Sequence, residues 1–157
     1  KILWLKKNCP EIYKKAHEIV SSTSYLVQKL TDESVIDHYT ASNFTPLYDI
    51  KNLKWTDALT KNIIEIERLP KLKWTTEIAG YVSKAASKET GLATGTPVTV
   101  GTIDAAAEAI SVGVCSAGDM MMMYGSTIFI IQVTNEKIID GRLWYAPWLF
   151  KDLHGSR

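Results

Sequence analysis

The chain has 157 residues, of which 46% are hydrophobic and 22% are charged. This composition is typical of a water-soluble globular domain with a packed core, and it excludes disordered and collagen-like chains. Lysine and arginine total 18 against 17 aspartate and glutamate residues, so the net charge of +1 offers no general attraction for nucleic acid or for an anionic membrane.

Cysteine content and hydropathy argue against disulfide-rich, zinc-binding and membrane-spanning proteins. Cys9 and Cys115 are too few for a disulfide framework and stand at no zinc-ligand spacing, so we expect free thiols. No apolar run reaches the roughly 20 residues that span a membrane. The first residues do not form a signal peptide, so we expect a cytoplasmic protein with no membrane partner.

Helical patterns dominate the first half of the chain. Apolar residues recur three or four apart over residues 10–30, with a break at SSTS, where Thr23 or Ser24 is expected to cap a second short helix. Another helix is predicted to begin at Thr56 or Asp57 and to end at the Leu69-Pro70 pair. Its apolar stripe would consist of Leu59, Ile63 and Ile66.

Strand patterns dominate the second half. The residues after 77 predict a short strand or turn, then a small helix stopped by Gly91, and then a buried strand from Pro97 to Gly101. A helix over 104–115 follows. The chain then predicts an antiparallel meander of three strands, at about 120–123, 127–134 and 137–145.

Asp104 stands between the predicted buried strand and the predicted helix 104–115. Aspartate is among the best N-cap residues, so a helix cap alone explains its position. The same junction, however, is where α/β sheets bind ligands, and the helix dipole there favours an ionised carboxylate. Such a carboxylate can accept the proton of a substrate hydroxyl. The residues alone leave both interpretations open, and one residue can serve in both ways.

Gly125, Ser126 and Thr127 form a predicted turn between apolar strands. Glycine lets a backbone approach a ligand, and consecutive backbone N–H groups in such a turn can hold phosphate oxygens. A plain β-hairpin turn explains the same three residues. The four methionines before the turn would alternate between the two faces of a strand, so we expect them to pack, and we predict no metal site.

These motifs belong to an ordered series that covers nearly the full chain. KILWLKKNCPEIY is similar to a K-x-x-W-L-x-x-x-x-P-E segment, SYLVQKLT to the helix after it, and IDHYTASNFTPLYDIKNLKW to a T-D-x-x-x-A-S…L-x-D-x-x-x-x-x-W stretch. Residues 69–114 then follow the order LP, G, T-G-L, G-T-P-V, G-x-x-D and A-x-x-x-G, and SAGDMMMMYGSTIFI resembles a G-D-x-x-x-x-x-G-T-S phosphate turn. In this order the sequence resembles the FGGY carbohydrate kinases, the group that includes xylulokinase, gluconokinase and glycerol kinase.

The resemblance implies an α/β fold of the ribonuclease-H-like, actin-like ATPase type, of which this chain would hold a part. Residues 1–116 would form the end of the sugar-binding domain together with its connecting helix. Residues 117–157 would begin the ATP-binding domain.

The resemblance also implies a function, namely ATP-dependent phosphorylation of a hydroxyl on a sugar, sugar acid or polyol. Asp104 would be the general base, and Gly125, Ser126 and Thr127 would contact the phosphates of ATP, with Mg²⁺ as the second cofactor. This chemistry depends on positioning and charge stabilisation. A homodimer is left open.

Several departures from the family pattern matter. Ala105 stands where many members have an Asn that contributes to the sugar site, so the substrate contacts at this position are expected to differ. The turn reads Gly-Ser-Thr instead of Gly-Thr-Ser, which keeps both hydroxyls. The family's amino-terminal D-x-G-T loop and carboxyl-terminal adenine-binding G-G motif do not occur in these residues. We therefore expect an internal segment of a longer chain that is inactive by itself.

Two alternatives come from other classes. The first is a non-catalytic binding or assembly module of actin-like fold, in which Asp104 is only a helix cap. The second is an actin-like or Hsp70-like ATPase without a sugar substrate, which is weaker because those families lack the T-G-L…G-T-P-V…D series found between Thr90 and Asp104. The sequence does not name the sugar.

Overall fold

A computed structural model describes residues 1–59, 63–138 and 140–156. Within these residues the α-helices are α1 (Ile2–Asn8), α2 (Pro10–Lys15), α3 (Ser22–Thr31), α4 (His38–Ser42), α5 (Lys84–Thr90) and α6 (Asp104–Ser111). The strands are β1 (Val35–Asp37), β2 (Tyr48–Asp49), β3 (Lys54–Trp55), β4 (Lys71–Lys73), β5 (Ile78–Tyr81), β6 (Pro97–Thr99), β7 (Met120–Tyr124), β8 (Ile128–Thr134), β9 (Tyr145–Pro147) and β10 (His154–Ser156).

The amino-terminal helices follow the predicted pattern with shifted ends. Pro10 occupies the first turn of α2, as predicted. An N–H group in the first turn has no acceptor within the helix, so the missing N–H of proline costs no hydrogen bond there. The chain leaves the helix at Ala16, which is extended. Helix α3 is capped by Ser21, whose hydroxyl accepts the N–H of Ser24 at 3.1 Å, so the predicted caps were two or three residues late. Helix α1 was not predicted.

Helix α5 forms where it was predicted, because the residues that begin and end it are adjacent to it in sequence. The hydroxyl of Ser83 accepts the N–H of Ala86 at 3.2 Å, and Gly91 ends the helix in the left-handed region with φ of 78°. The following strand β6 pairs antiparallel with β5, as a short two-stranded ladder. A second ladder joins β1 to β4 in parallel, which brings the end of β1 beside the chain that follows β4.

The helix predicted from Thr56 or Asp57 to Leu69-Pro70 is wrong for the described residues. Only a single 3₁₀ turn, Ile66–Arg68, forms there, and residues 60–62 lie outside the described part. The reason is tertiary packing, since Ile64 and Leu69 are both buried in one cluster with Leu47. A regular helix would not turn Ile64 and Leu69, five residues apart, onto the same side.

The carboxyl-terminal part forms a four-stranded antiparallel sheet with the strand order β7-β8-β10-β9. The predicted β7–β8 hairpin is present, and its methionines alternate as expected, with Met121 buried and Met120 exposed. The third predicted strand, at 137–145, is wrong for residues 137, 138 and 140–144, while Tyr145 begins strand β9 and residue 139 lies outside the described part. Asp140 instead accepts the backbone N–H of Arg142 at 2.9 Å in a turn, and β10 takes the place beside β8, so the sheet is not a simple meander.

One buried cluster fixes helix α6 against this sheet. Ala106 and Ala109 of α6 are fully buried, and small side chains let the helix approach the strands closely. The helix ends at Ser111, earlier than the predicted residue 115. The cluster consists of Tyr39, Ala106, Ala109, Val114, Met121, Ile131, Val133, Ala146, Trp148 and Leu149. Among the helices that the structure describes, none has the length and apolar character to cross a membrane.

Candidate active site

Asp104 is the first residue of helix α6, and its side chain is exposed. The N-cap position belongs to Ile103, which makes no side-chain capping bond, so the prediction of Asp104 as the cap is off by one residue. Its carboxylate oxygen Oδ1 instead accepts the N–H of Ala105 at 2.8 Å. This bond satisfies one of the free N–H groups of the first turn, and the helix dipole favours a negative charge at this end.

Residues 101–103, which lead into α6 and are called the approach loop below, are held by three segments of the chain. The N–H of Gly101 donates to the carbonyl of Thr75 at 3.2 Å, and Gly101 has a φ of 71°, a conformation that favours glycine. The carbonyl of Thr102 accepts the hydroxyl of Thr23 at 3.0 Å, and the hydroxyl of Thr102 donates to Asp37 at 3.0 Å. The backbone position of Asp104 is therefore fixed by long-range bonds.

Asp37 is a buried carboxylate that was assigned no role from the sequence, although it matches the D of the T-D-x-x-x-A-S stretch. It ends strand β1, is 2% exposed, and caps helix α4 by accepting the N–H of Thr40 at 3.2 Å. The hydroxyl of Thr75 is a further donor at 3.4 Å. Burial raises the pKa of Asp37, while hydrogen bonds from Thr40 and Thr102 act in the opposite direction. The signal that could have found it is the same strand–aspartate–helix junction that drew attention to Asp104.

An aromatic group lies directly beside Asp37. The Nδ1 atom of His38 and the hydroxyl of Tyr48 are 2.8 Å apart, and the rings of His38 and Trp74 have centroids 4.6 Å apart. Burial lowers the pKa of His38, an effect that the charge of Glu77 partly opposes. His38 is therefore a neutral hydrogen-bonding group near pH 7, and it carries no positive charge for an anionic substrate.

The turn of Gly125, Ser126 and Thr127 connects β7 to β8, and all three residues are exposed. The N–H of Gly125 donates to the carbonyl of Thr127 at 3.1 Å, so this N–H is engaged within the turn. A Cβ built on Gly125 has the Thr127 carbonyl oxygen as its nearest neighbour, at 3.7 Å, which is an ordinary contact. The backbone of the turn therefore does not require a glycine at this position.

The same buried cluster positions both predicted parts of the site. Ala105, which is half-buried, packs against this cluster from α6, and Met123 packs against it from the strand that leads into the turn. Since the core of a protein is close-packed, the two elements hold fixed positions relative to each other.

The described chain also has a cleft away from both parts of the predicted site. The cleft has a volume of about 350 Å³, and its lining includes His17, Glu18, Gln28 and Glu33. Neither Asp104 nor the Gly125 turn lines it. Across residues 1–59, 63–138 and 140–156, histidine, cysteine and carboxylate side chains form no group of three that could hold a metal ion. The described residues thus offer an exposed carboxylate at Asp104 and an exposed turn at Gly125, but no preformed metal site.

Comparison with known proteins assigns the family. The family model described as "FGGY family of carbohydrate kinases, N-terminal domain" matches residues 1–111. The chain therefore belongs to the FGGY family of carbohydrate kinases, as the ordered motifs predicted.

Individual relatives agree with this assignment. The autoinducer-2 kinase of Klebsiella pneumoniae is 32% identical over 136 residues, which are 86% of this chain and 25% of that protein. A glycerol kinase of Clostridium perfringens is 29% identical over 164 aligned positions, covering 99% of this chain and 32% of that protein. The chain thus spans between a quarter and a third of the length of these relatives.

Solved structures show the fold. The crystal structure of xylulose kinase from Rhodospirillum rubrum superposes with a TM-score of 0.90 at 25% identity, over 99% of this chain and 32% of that one. This likeness confirms the predicted mixed α/β architecture as part of the actin-like ATPase fold. The domain division at residues 116 and 117 and the roles of the site residues stay predictions.

Proposed function

We propose that the full-length protein transfers the γ-phosphoryl group of ATP to a hydroxyl of a sugar, sugar acid or polyol, with Asp104 as the general base. The observation that carries the proposal is the exposed carboxylate of Asp104 at the amino end of α6, on a backbone held by hydrogen bonds from distant segments. Membership of a carbohydrate kinase family supports this chemistry.

Asp104 is suited to the part of base. Its carboxylate lies at the exposed amino end of α6, and a carboxylate is one of the groups that accept a proton in general-base catalysis. Its Oδ1 atom is held by the N–H of Ala105, and we assign the other oxygen, Oδ2, to the proton of the attacking hydroxyl. As the oxygen–phosphorus bond forms, this proton passes to Asp104, and the bond from the γ-phosphorus to its leaving oxygen breaks to release ADP.

Ala105 contributes to the substrate site through its backbone. Its N–H orients Asp104, and its methyl group packs against the buried cluster, so it offers no polar side chain to the sugar. We propose that this position distinguishes the protein from relatives with an amide side chain there. The substrate hydroxyl groups that such an amide would bind must therefore form hydrogen bonds with other residues of this protein.

Gly125, Ser126 and Thr127 are proposed to contact the phosphates of ATP. The two hydroxyls are exposed, and a glycine that the backbone does not need leaves room for a ligand to approach. ATP supplies the phosphoryl group, and Mg²⁺ offsets the charge of its phosphates. Because Mg²⁺ is commonly held through substrate phosphates and retained waters, the described residues are compatible with its arriving with the nucleotide.

In the non-catalytic alternative, Asp104 is only a helix cap. The bond from the Ala105 N–H to its Oδ1 atom fits that role as well, since one residue can both cap a helix and catalyse. Membership of a carbohydrate kinase family favours the catalytic proposal, and the assay of ADP release separates the two.

The direct test is a coupled assay of ADP release by the full-length protein. Candidate acceptors follow from the names of similar proteins, which are kinases of glycerol, xylulose, gluconate and autoinducer-2. We expect ADP release above the background ATPase rate with at least one of these acceptors. Equal rates with and without every acceptor would contradict a carbohydrate kinase.

A further inference from the structure

Three hydrogen-bond donors converge on one oxygen of the buried residue Asp37. Its Oδ2 atom accepts the hydroxyl of Thr102 at 3.0 Å, the hydroxyl of Thr75 at 3.4 Å and the N–H of Thr40 at 3.2 Å. These donors come from three separate segments of the chain. One acceptor atom therefore ties together the end of β1, the start of α4, the chain after β4 and the approach loop.

Capping of helix α4 does not account for this arrangement. A cap needs only the bond to Thr40, and a surface serine or aspartate provides it. Asp37 is instead 2% exposed, and removing a carboxylate from water is costly unless several donors compensate. The hydroxyls of Thr75 and Thr102 are two such donors, beside the N–H of Thr40. The pair of Asp37 and Thr102 thus links a buried acceptor to a residue only two positions before Asp104.

The approach loop is restrained on its other side as well. Thr23, from helix α3, donates its hydroxyl to the carbonyl of Thr102 at 3.0 Å, and a Cβ built on Gly101 would lie 3.3 Å from Cγ2 of Thr23. Thr102 is therefore held by its side chain toward Asp37 and by its carbonyl toward Thr23. The hydrogen bond of the Asp104 side chain is to its neighbour Ala105 and does not tie it to a distant segment. The position of Asp104 therefore depends on the approach loop.

We propose that Asp37 and Thr102 are positioning residues for Asp104, acting through the hydrogen bond from the Thr102 hydroxyl to the Asp37 carboxylate. The proposal rests on the proposed function, in which Asp104 is the base. Neither residue touches the reacting atoms. Their effect is to keep the Asp104 carboxylate at the distance from the substrate hydroxyl that proton transfer needs.

The test compares threonine variants in the full-length protein. Thr102→Val keeps the shape and removes the hydroxyl, whereas Thr102→Ser keeps the hydroxyl. Thr31→Val is the control, because the hydroxyl of Thr31 also donates a hydrogen bond, but to the carbonyl of Val27 in α3. Thr31 is buried whereas Thr102 is half-buried, so the control variant disturbs packing at least as much. Since a misplacement of about 1 Å costs roughly 100-fold in rate, we expect kcat to fall by about 10- to 100-fold in Thr102→Val. We expect Thr102→Ser and Thr31→Val to stay within about threefold of the parent protein.

A positioning role leaves a further kinetic signature. The KM for ATP should stay nearly constant in Thr102→Val, because only the transition state needs the correctly placed base. The double variant with Asp104→Asn should retain the same residual rate as Asp104→Asn alone, since the position of the approach loop no longer matters. Asp37→Asn provides an independent variant, because its amide oxygen can accept the same donors, and it should be faster than Asp37→Ala.

The outcomes separate the two proposals. A Thr102→Val protein with full kcat, beside an inactive Asp104→Asn, would overturn only the positioning role. Equal losses of kcat in Thr102→Val and Thr31→Val, or a further loss in the double variant, would also overturn it, because they indicate general destabilisation. Near-normal turnover of Asp104→Asn would overturn the proposed function itself.

Discussion

The fit of Gly155 against Trp148 gives a quantitative prediction about the core that carries the candidate site. Gly155 lies in the interior strand β10, and a Cβ there would be 2.9 Å from Cε3 and 3.4 Å from Cζ3 of Trp148. Carbon atoms are in optimal contact at about 3.5–4.0 Å, so the Gly155→Ala methyl group is about 0.6 Å or more too close. Trp148 is fully buried and meets Tyr39 edge to face at a centroid distance of 5.5 Å, so its ring has little room to move.

The expected cost of Gly155→Ala follows from overpacking. Adding carbon to a well-packed core typically costs about 1–3 kcal/mol. For a chain of this size, that loss lowers Tm by roughly 2–12 °C. Urea denaturation followed by tryptophan fluorescence measures the free energy of unfolding directly.

Gly141→Ala is the matched control for this measurement. A Cβ on Gly141 has no neighbour within 4 Å, so its free energy of unfolding should change by less than about 0.5 kcal/mol. If Gly155→Ala and Gly141→Ala were equally stable, the packing of β10 against Trp148 would be refuted.

Two further predictions concern Asp37 and the turn at Gly125, which is proposed to contact ATP. Burial raises the pKa of Asp37 in the folded state, so its contribution to stability is fully present below the unfolded pKa and is lost as the pH rises through the folded pKa. Asp37→Asn cannot ionise, so its free energy of unfolding, measured by urea denaturation between about pH 3.5 and 8, should rise relative to the parent protein as the pH increases; a relative fall would contradict the direction of the shift. Gly125→Ala should leave stability within about 0.5 kcal/mol, because its Cβ meets the Thr127 carbonyl oxygen only at 3.7 Å. The KM for ATP of this variant should rise several-fold in the full-length protein, and an unchanged KM would remove Gly125 from the nucleotide site.

Elements with local signals were predictable from the sequence. Helix α5 has a serine cap before it and Gly91 after it, and the β7–β8 hairpin has apolar strands around a Gly125 turn. The failed predictions lacked such signals. Leu59, Ile63 and Ile66 have helical spacing, but the packing of Ile64 with Leu47 decided the local conformation. No local pattern indicates that β10 inserts between β8 and β9, because that pairing is long-range.

The candidate site was predictable only in part for the same reason. Asp104 was found because its junction of strand and helix is visible in neighbouring residues. Asp37 occupies an equivalent junction, but its significance comes from Thr75 and Thr102, which are 38 and 65 residues away in sequence. Only the folded chain brings these donors together.

The central claim, that Asp104 is the base, is tested most directly by the kcat of Asp104→Asn in the full-length protein. Glu108→Gln is the matched control, because Glu108 is an exposed carboxylate one turn further along the same helix. General-base catalysis contributes about 10²- to 10⁴-fold, so kcat should fall at least that far in Asp104→Asn, with ATP affinity nearly unchanged and Glu108→Gln close to the parent rate. Near-normal turnover of Asp104→Asn would contradict the account.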